Sequence, residues 1–123
     1  MTVQNAIERA NDMRAGNSVS DETKTRWLSE LDHNIYNDVI KTHHVTDKEF
    51  EAYTDGSNEL IAVAPYDVLY TYWLMAQIDL ACGEINKYNT SLTLFNESYR
   101  NYKAWYNRTH MPLQKAQIRL CID

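Results

Sequence analysis

The residues of this chain whose types could support metal chemistry lie where the second apolar-periodic segment gives way to a polar stretch. His43 and His44 are adjacent and are followed by several acids. Adjacent side chains on a helix point about 100° apart, so the two imidazoles are poorly arranged for one ion. The sequence has no HExxH motif and no Cys/His pairing, and the acids lack the order of a calcium loop. We therefore expect a solvated acidic loop, with no metal and no cofactor.

Asp79 is a carboxylate inside an otherwise apolar segment and is the other candidate for chemistry. A buried carboxylate needs a partner, and acid–base catalysis needs a second group within reach, which the surrounding sequence does not supply. We expect Asp79 to pair with Arg100 or Arg108 on an opposing helix. Arg100 is favoured, because an antiparallel turn near Asn89 brings residue 79 level with about residue 99. The sequence therefore predicts a protein that is not an enzyme.

Helices are the elements that position these groups. Thr2 and Ser20 are suitable N-caps, and Pro65 is suited to the first position of a helix. Residues on one stripe of each of the last two helices recur at steps of three and four, and a short link makes those stripes face each other. The predicted helices cover about residues 3–15, 21–42, 65–87 and 90–109, and the stripes are Leu69, Trp73, Ala76, Leu80 and Gly83, and Leu92, Phe95, Tyr99, Tyr102 and Tyr106.

Two segments break the helical period. Residues 44–63 surround an Asp-Gly turn signal, which fits either a small β-hairpin or an ordered Ω-type loop. Residues 113–123 alternate apolar and polar side chains, which favours a strand that pairs with a partner over a frayed end. The predicted fold is all-α. It consists of a four-helix domain at 1–112, with a small β-like insertion, and an extended C-terminal arm at 113–123.

Charge is distributed unevenly along the chain. Residues 1–63 hold twelve acids and six bases, whereas residues 64–123 hold five acids and six bases. The net charge of −5 argues against a dedicated nucleic-acid binder. Such a molecule could stack head to tail with copies of itself, although an ordinary solvated surface can also carry charges that are distributed unevenly. The predicted contact residues are Asp47, Glu49, Glu51, Asp55 and Glu59 on the acidic side and Lys115, Ile118, Arg119, Leu120 and Ile122 in the arm.

Cysteine usage and hydropathy suggest where the protein is made. Cys82 and Cys121 are too few for a disulfide framework, and Cys82 is expected to be a small buried hydrophobe. Charged residues interrupt any signal-like run near the N-terminus. The apolar run at 68–83 is too short to span a membrane. We expect a protein made in the cytosol, with reduced thiols and no membrane partner.

The segment PYDVLYTYWLMAQIDLACGEI, followed by NKYNTSLTLFNESYRNYKAWYNRTHMP, resembles small phage-encoded proteins of the head–tail connector region of long-tailed phages. The WLSELD element at 27–32 belongs to the same pattern, and the resemblance covers about residues 2–113. It implies a connector, adaptor or head-completion protein, a mostly helical virion structural protein. As an expectation, that protein forms a dodecameric homo-oligomer ring in the neck, between the portal protein and a tail-side neck protein.

DNA would pass through such a ring without specific binding. One alternative is a tail-terminator or other tail-side component. Another alternative, of a different class, is a DNA-packaging accessory protein.

Overall fold

The structure is a computed structural model that describes residues 1–44 and 48–110, and within them it is mostly helical and contains no strand. This confirms the predicted all-α character. The third helix is central, because it packs against the first and second helices and, along most of its length, against the fourth. The helices are α1 (Val3–Met13), α2 (Asp21–Ile35), which continues through a π-helical segment (Tyr36–Ile40) and a last turn (Lys41–His43), α3 (Val68–Ala81) and α4 (Ile85–Thr109).

The first two helices begin at the predicted caps. The Thr2 hydroxyl accepts a hydrogen bond from the Asn5 amide at 3.2 Å, and the Asn5 side chain accepts one from the Thr2 amide, which forms a capping box. The Ser20 hydroxyl accepts a hydrogen bond from the Thr23 amide at 3.2 Å. Helix α1 is two residues shorter than predicted, because Arg14 leaves helical geometry and Gly16 takes a positive φ of 76°.

The turn between α3 and α4 lies earlier than predicted. Gly83 has a φ of 77° and ends α3 in the left-handed conformation that glycine adopts most readily. Helix α4 therefore begins at Ile85 rather than at residue 90. Helix α3 also begins late, at Val68, because residues 64–67 form a turn that contains a cis Ala64–Pro65 bond.

The predicted stripe on α4 is buried at Phe95, Tyr102 and Tyr106, but the stripe on α3 is only partly correct. Trp73 is half-buried and Leu80 is exposed. Because α3 is flanked by three helices, its buried side chains lie on several sides rather than on one stripe. The buried apolar residues of α3 are Leu69, Tyr70, Leu74, Met75, Ala76 and Ile78.

The segment 48–63 is a loop, and no strand forms at 49–53 or at 60–63. The Asn58 side chain accepts hydrogen bonds from the amides of Thr54 and Asp55 at 3.0 and 3.1 Å and so closes the predicted turn. The loop then pairs with the N-terminus, where the Leu60 amide donates to the Met1 carbonyl at 3.0 Å. The hairpin interpretation is therefore wrong, because the backbone bonds available to a second strand go to residues 1–4.

Candidate functional site

Asp32 is the centre of a buried hydrogen-bond cluster that joins α2, the loop at 48–63 and α3. Its Oδ1 accepts from the Tyr70 hydroxyl at 2.6 Å. Its Oδ2 accepts from the Ile61 amide at 3.0 Å and from the Tyr53 hydroxyl. The Tyr70 hydroxyl accepts in turn from the Ala62 amide at 2.7 Å. Both carboxylate oxygens are therefore used to hold the loop against two helices.

The electrostatics of this cluster follow from its burial. Burial is the largest influence on Asp32 and raises its pKa to about 6, although the hydrogen bonds from Tyr53, Tyr70 and Ile61 oppose the shift. Burial and the facing carboxylate raise the pKa of Tyr53 and of Tyr70. Both phenols therefore remain protonated at neutral pH and act as donors. The cluster is an anchor built from donors around one acid.

Asp79 pairs with Arg14, which directly follows α1, and not with an arginine of α4. Arg14 Nε and Nη2 donate to its two oxygens at 2.7 and 3.0 Å, and the Ser91 hydroxyl donates at 3.0 Å. The predicted pairing with Arg100 or Arg108 is wrong. Since the α3–α4 turn lies at 82–84, it is Ser91 that faces Asp79, while both of those arginines are exposed.

In the pair of Arg14 and Asp79, each side chain favours its charged form. Burial disfavours the carboxylate of Asp79, but the hydrogen bonds from Arg14 and Ser91 and the charge of Arg14 outweigh that effect and lower its pKa. The hydrogen bond to Asp79 raises the pKa of Arg14. Arg14 follows the last residue of α1, where a cation also interacts favourably with the helix dipole. That position is the sequence signal that could have identified it.

Lys24 is a buried cation that the sequence does not reveal. Its Nζ donates to Asn11 Oδ1 at 2.6 Å, and the Asn17 side chain donates to the same oxygen at 3.1 Å. Because Lys24 lies among polar residues in the first turns of α2, hydrophobic periodicity gives no sign of its burial. It ties the start of α2 to α1.

The two adjacent histidines pack against the C-terminal half of α4. His43 Nε2 lies 2.8 Å from Asn107 Oδ1, and His44 Nε2 lies 2.7 Å from the Tyr106 hydroxyl. His110 stacks on the Tyr106 ring with the centroids 3.9 Å apart. Within residues 1–44 and 48–110, no group of three or more His, Cys, Asp or Glu side chains is arranged to hold a metal ion.

The predicted acidic contact residues that the structure describes all lie on the exposed surface of the loop. Glu59 Oε2 lies 3.4 Å from the N-terminal amine, and Glu49 Oε2 lies 3.8 Å from Lys41 Nζ. Asp55 accepts a hydrogen bond from the Ser57 amide at 2.8 Å. The exposed acids are Glu49, Glu51, Asp55 and Glu59, whereas Asp47, Lys115, Ile118, Arg119, Leu120 and Ile122 lie outside the described residues.

Two apolar surfaces that sequence reasoning missed are open to solvent. One is a groove of about 340 Å³ between α1 and α3, where Met13 is 56% and Val68 is 37% exposed. The other is at the α3–α4 turn, where Leu80 is 46% and Ile85 is 55% exposed. Cys82 lies at this turn and is exposed, so the prediction of a buried thiol is wrong. The early end of α3 leaves it outside the helix packing.

Comparison with protein-family models, with curated proteins and with solved structures gave no match. Among the helices of the described residues, none has the length and apolar character needed to cross a membrane.

Proposed function

We propose that this chain is a non-enzymatic structural subunit of a phage virion, a head–tail connector or adaptor that forms a ring between the portal protein and a tail-side neck protein. The observation that carries the proposal is the use of three buried ionisable side chains. Lys24, Asp32 and Asp79 each bond to groups on other segments of the fold. Polar bonds of this kind give a rigid body, which suits a protein that holds neighbours in place.

The sequence resemblance supports the same proposal. Its most specific part begins at Pro65 and includes both α3 and α4, the two helices with the most extensive mutual packing. The resembling residues therefore correspond to the scaffold of the molecule. In this proposal residues 1–112 form one helical connector domain, and residues 113–123 form an arm that contacts a neighbour. The protein is made in the host cytoplasm and ends in the virion neck.

The exposed charges are compatible with a ring built from one repeated contact. Arg100, Lys103 and Arg108 are exposed on α4, and no acid lies between residues 98 and 110. The loop at 48–63 instead exposes four acids. A contact between two different faces closes into a ring when the rotation per subunit permits. DNA passes through such a ring without specific binding, because the net charge of −5 opposes attraction to phosphates.

Negative-stain electron microscopy tests the proposal. The purified protein, alone and mixed with portal particles, should give ring-shaped particles, and an epitope tag on the chain should label the neck of assembled virions. A label at the far side of the neck, on the end of the tail, would support a tail-terminator instead. A protein that stays monomeric in both samples and leaves the neck unlabelled contradicts the proposal.

A further inference from the structure

We infer that the two exposed apolar surfaces form one head-to-tail contact, in which the α3–α4 turn of one copy docks into the groove between α1 and α3 of the next. This inference rests on the proposed ring-forming function and names the surfaces that build the ring. The hairpin tip is defined as Leu80, Glu84, Ile85 and Lys87. The apolar groove is lined by Arg9, Asp12, Met13, Val68, Thr71, Tyr72 and Met75.

The distribution of exposed apolar side chains points to these two surfaces. Single exposed apolar residues are ordinary on a protein surface, but clustered ones mark contact sites. In the hairpin tip Leu80 and Ile85 lie on either side of the turn, and a Cβ built on the intervening Gly83 meets nothing within 4 Å, so the turn is uncovered. The large apolar side chains exposed in the described residues are Met13, Val63, Val68, Leu80, Ile85 and Leu94.

The charges around the two surfaces are complementary. Arg9 and Asp12 lie on the rim of the apolar groove, while Glu84 and Lys87 flank the hairpin tip, and all four side chains are exposed. Arg9, Asp12 and Glu84 form no ion pair within the described part of the chain. Each surface thus offers one charge of each sign. Pairing Arg9 with Glu84 and Asp12 with Lys87 fixes the orientation of a second copy.

The contact joins two different surfaces of neighbouring copies. Thr71 in the groove and Cys82 at the turn are separated by about 16 Å along the hairpin, at a rise of about 1.5 Å per residue. A copy therefore does not fill its own groove with its own tip. Each copy presents one tip and one groove, which is the requirement for a ring or an open chain of subunits.

Two variants separate the halves of the contact. Ile85→Glu changes the tip and Val68→Glu changes the groove. Both positions are exposed and begin a helix, where an acid is favourable. Val63→Glu is the matched control, since Val63 is 49% exposed and lies in neither surface. In sedimentation velocity, each of the two variants should self-associate at least about tenfold more weakly than the parent, whereas the control should behave like the parent.

The mixture of the two variants gives the sharpest result. An equimolar mixture retains one intact tip and one intact groove, so it should form a heterodimer and stop there. If either variant assembles like the parent, or if the parent stays monomeric, the inference is overturned. Circular dichroism checks that each variant folds. Leu80→Lys replaces the tip variant if Ile85→Glu unfolds, and Met13→Lys replaces the groove variant if Val68→Glu unfolds.

The failures of the two proposals are distinguishable. If rings form in the parent and persist in both variants, this contact is ruled out, whereas the connector function still stands. If head-to-tail assembly depends on both surfaces but the tagged protein never labels the virion neck, the connector function is ruled out, whereas the contact still stands.

Discussion

Asp32 and Asp79 are both buried carboxylates, but their surroundings shift their acidity in opposite directions. Asp32 is surrounded by neutral donors, so burial prevails and raises its pKa to about 6. Asp79 faces the guanidinium of Arg14, and its pKa is lowered despite burial. Asp32 also lies deeper than Asp79, so the depth of burial and the type of partner act together to set the direction. The sequence indicated that Asp79 would be buried, but it could not indicate a donor sixty-five residues away.

The raised pKa of Asp32 predicts how the stability of the protein depends on pH. Between about pH 4 and pH 6 the folded state holds a proton that the unfolded state releases, so the contribution of Asp32 is full below this window and lost as pH rises through it. The loss amounts to as much as about 3 kcal/mol, at about 1.4 kcal/mol per pKa unit. Urea melts of the parent and of Asp32→Asn should therefore show a variant penalty that shrinks from pH 4 to pH 7. A penalty that grows with pH contradicts the assignment.

The Arg14–Asp79 pair predicts a different outcome. Arg14→Met leaves a buried carboxylate without its charged partner, and we expect a loss toward the lower end of about 3–5 kcal/mol, because Arg14 still reaches solvent. The loss should be largest at neutral pH and should shrink in acid, as pH falls through the lowered pKa of Asp79. Arg100→Met is the matched control and should change stability little. Equal losses in the two variants, measured by urea melts, contradict the pairing.

At the scale of elements, periodicity located each helix but not the boundary between α3 and α4. Gly83 continues the spacing of the α3 stripe, so a period alone cannot distinguish a buried small residue from a left-handed cap. The misplaced turn then led to the wrong partner for Asp79. The caps of α1 and α2 were predicted correctly, because their side chains act on amides only three residues away.

Trp73 tests the packing of the α3–α4 pair. Its ring lies 4.9 Å from that of Phe95, and its Nε1 donates to the Trp27 carbonyl at 3.2 Å. Trp73→Ala should cost about 3 kcal/mol, the low end for a large aromatic, because the ring is only half-buried. Trp105→Ala, which removes a ring stacked on Tyr66 at the opposite end of the hairpin, should cost less. A Trp73→Ala protein that melts in urea like the parent would refute the packing role.

At the scale of the whole molecule, charge governs the expected response to DNA. The net charge is −5, and the exposed bases of α4 are few. In about 0.15 M salt, where the Debye length is about 8 Å, fluorescence anisotropy should detect no binding of duplex DNA at micromolar protein. Micromolar binding that weakens with salt and is lost in Lys103→Glu would instead favour a DNA-packaging accessory protein.

The class of the fold was predictable from the sequence, whereas the surfaces were not. Scarce glycine and proline and a repeated helical period gave the all-α character. The apolar groove combines residues 9–13 with residues 68–75, which only the packing of α1 on α3 brings together. Lys24 and Asn11 meet in the same way. Local patterns predict elements, but a site assembled from distant segments depends on how those elements pack.

The π-helical segment at Tyr36–Ile40 has a genetic consequence. The Lys41 amide bonds to the Tyr36 carbonyl, five residues back, so this stretch holds one residue more than an α-helical turn would. Because an α-helix turns about 100° per residue, winding the same residues as a regular α-helix would rotate residues 41–43 by about 100°. His43 would then turn away from Asn107, and the end of α2 would lose this contact with α4. Removing a single codon there would instead restore α-helical winding and leave these residues facing as they do now, so the π-helical segment accommodates the length of one extra codon.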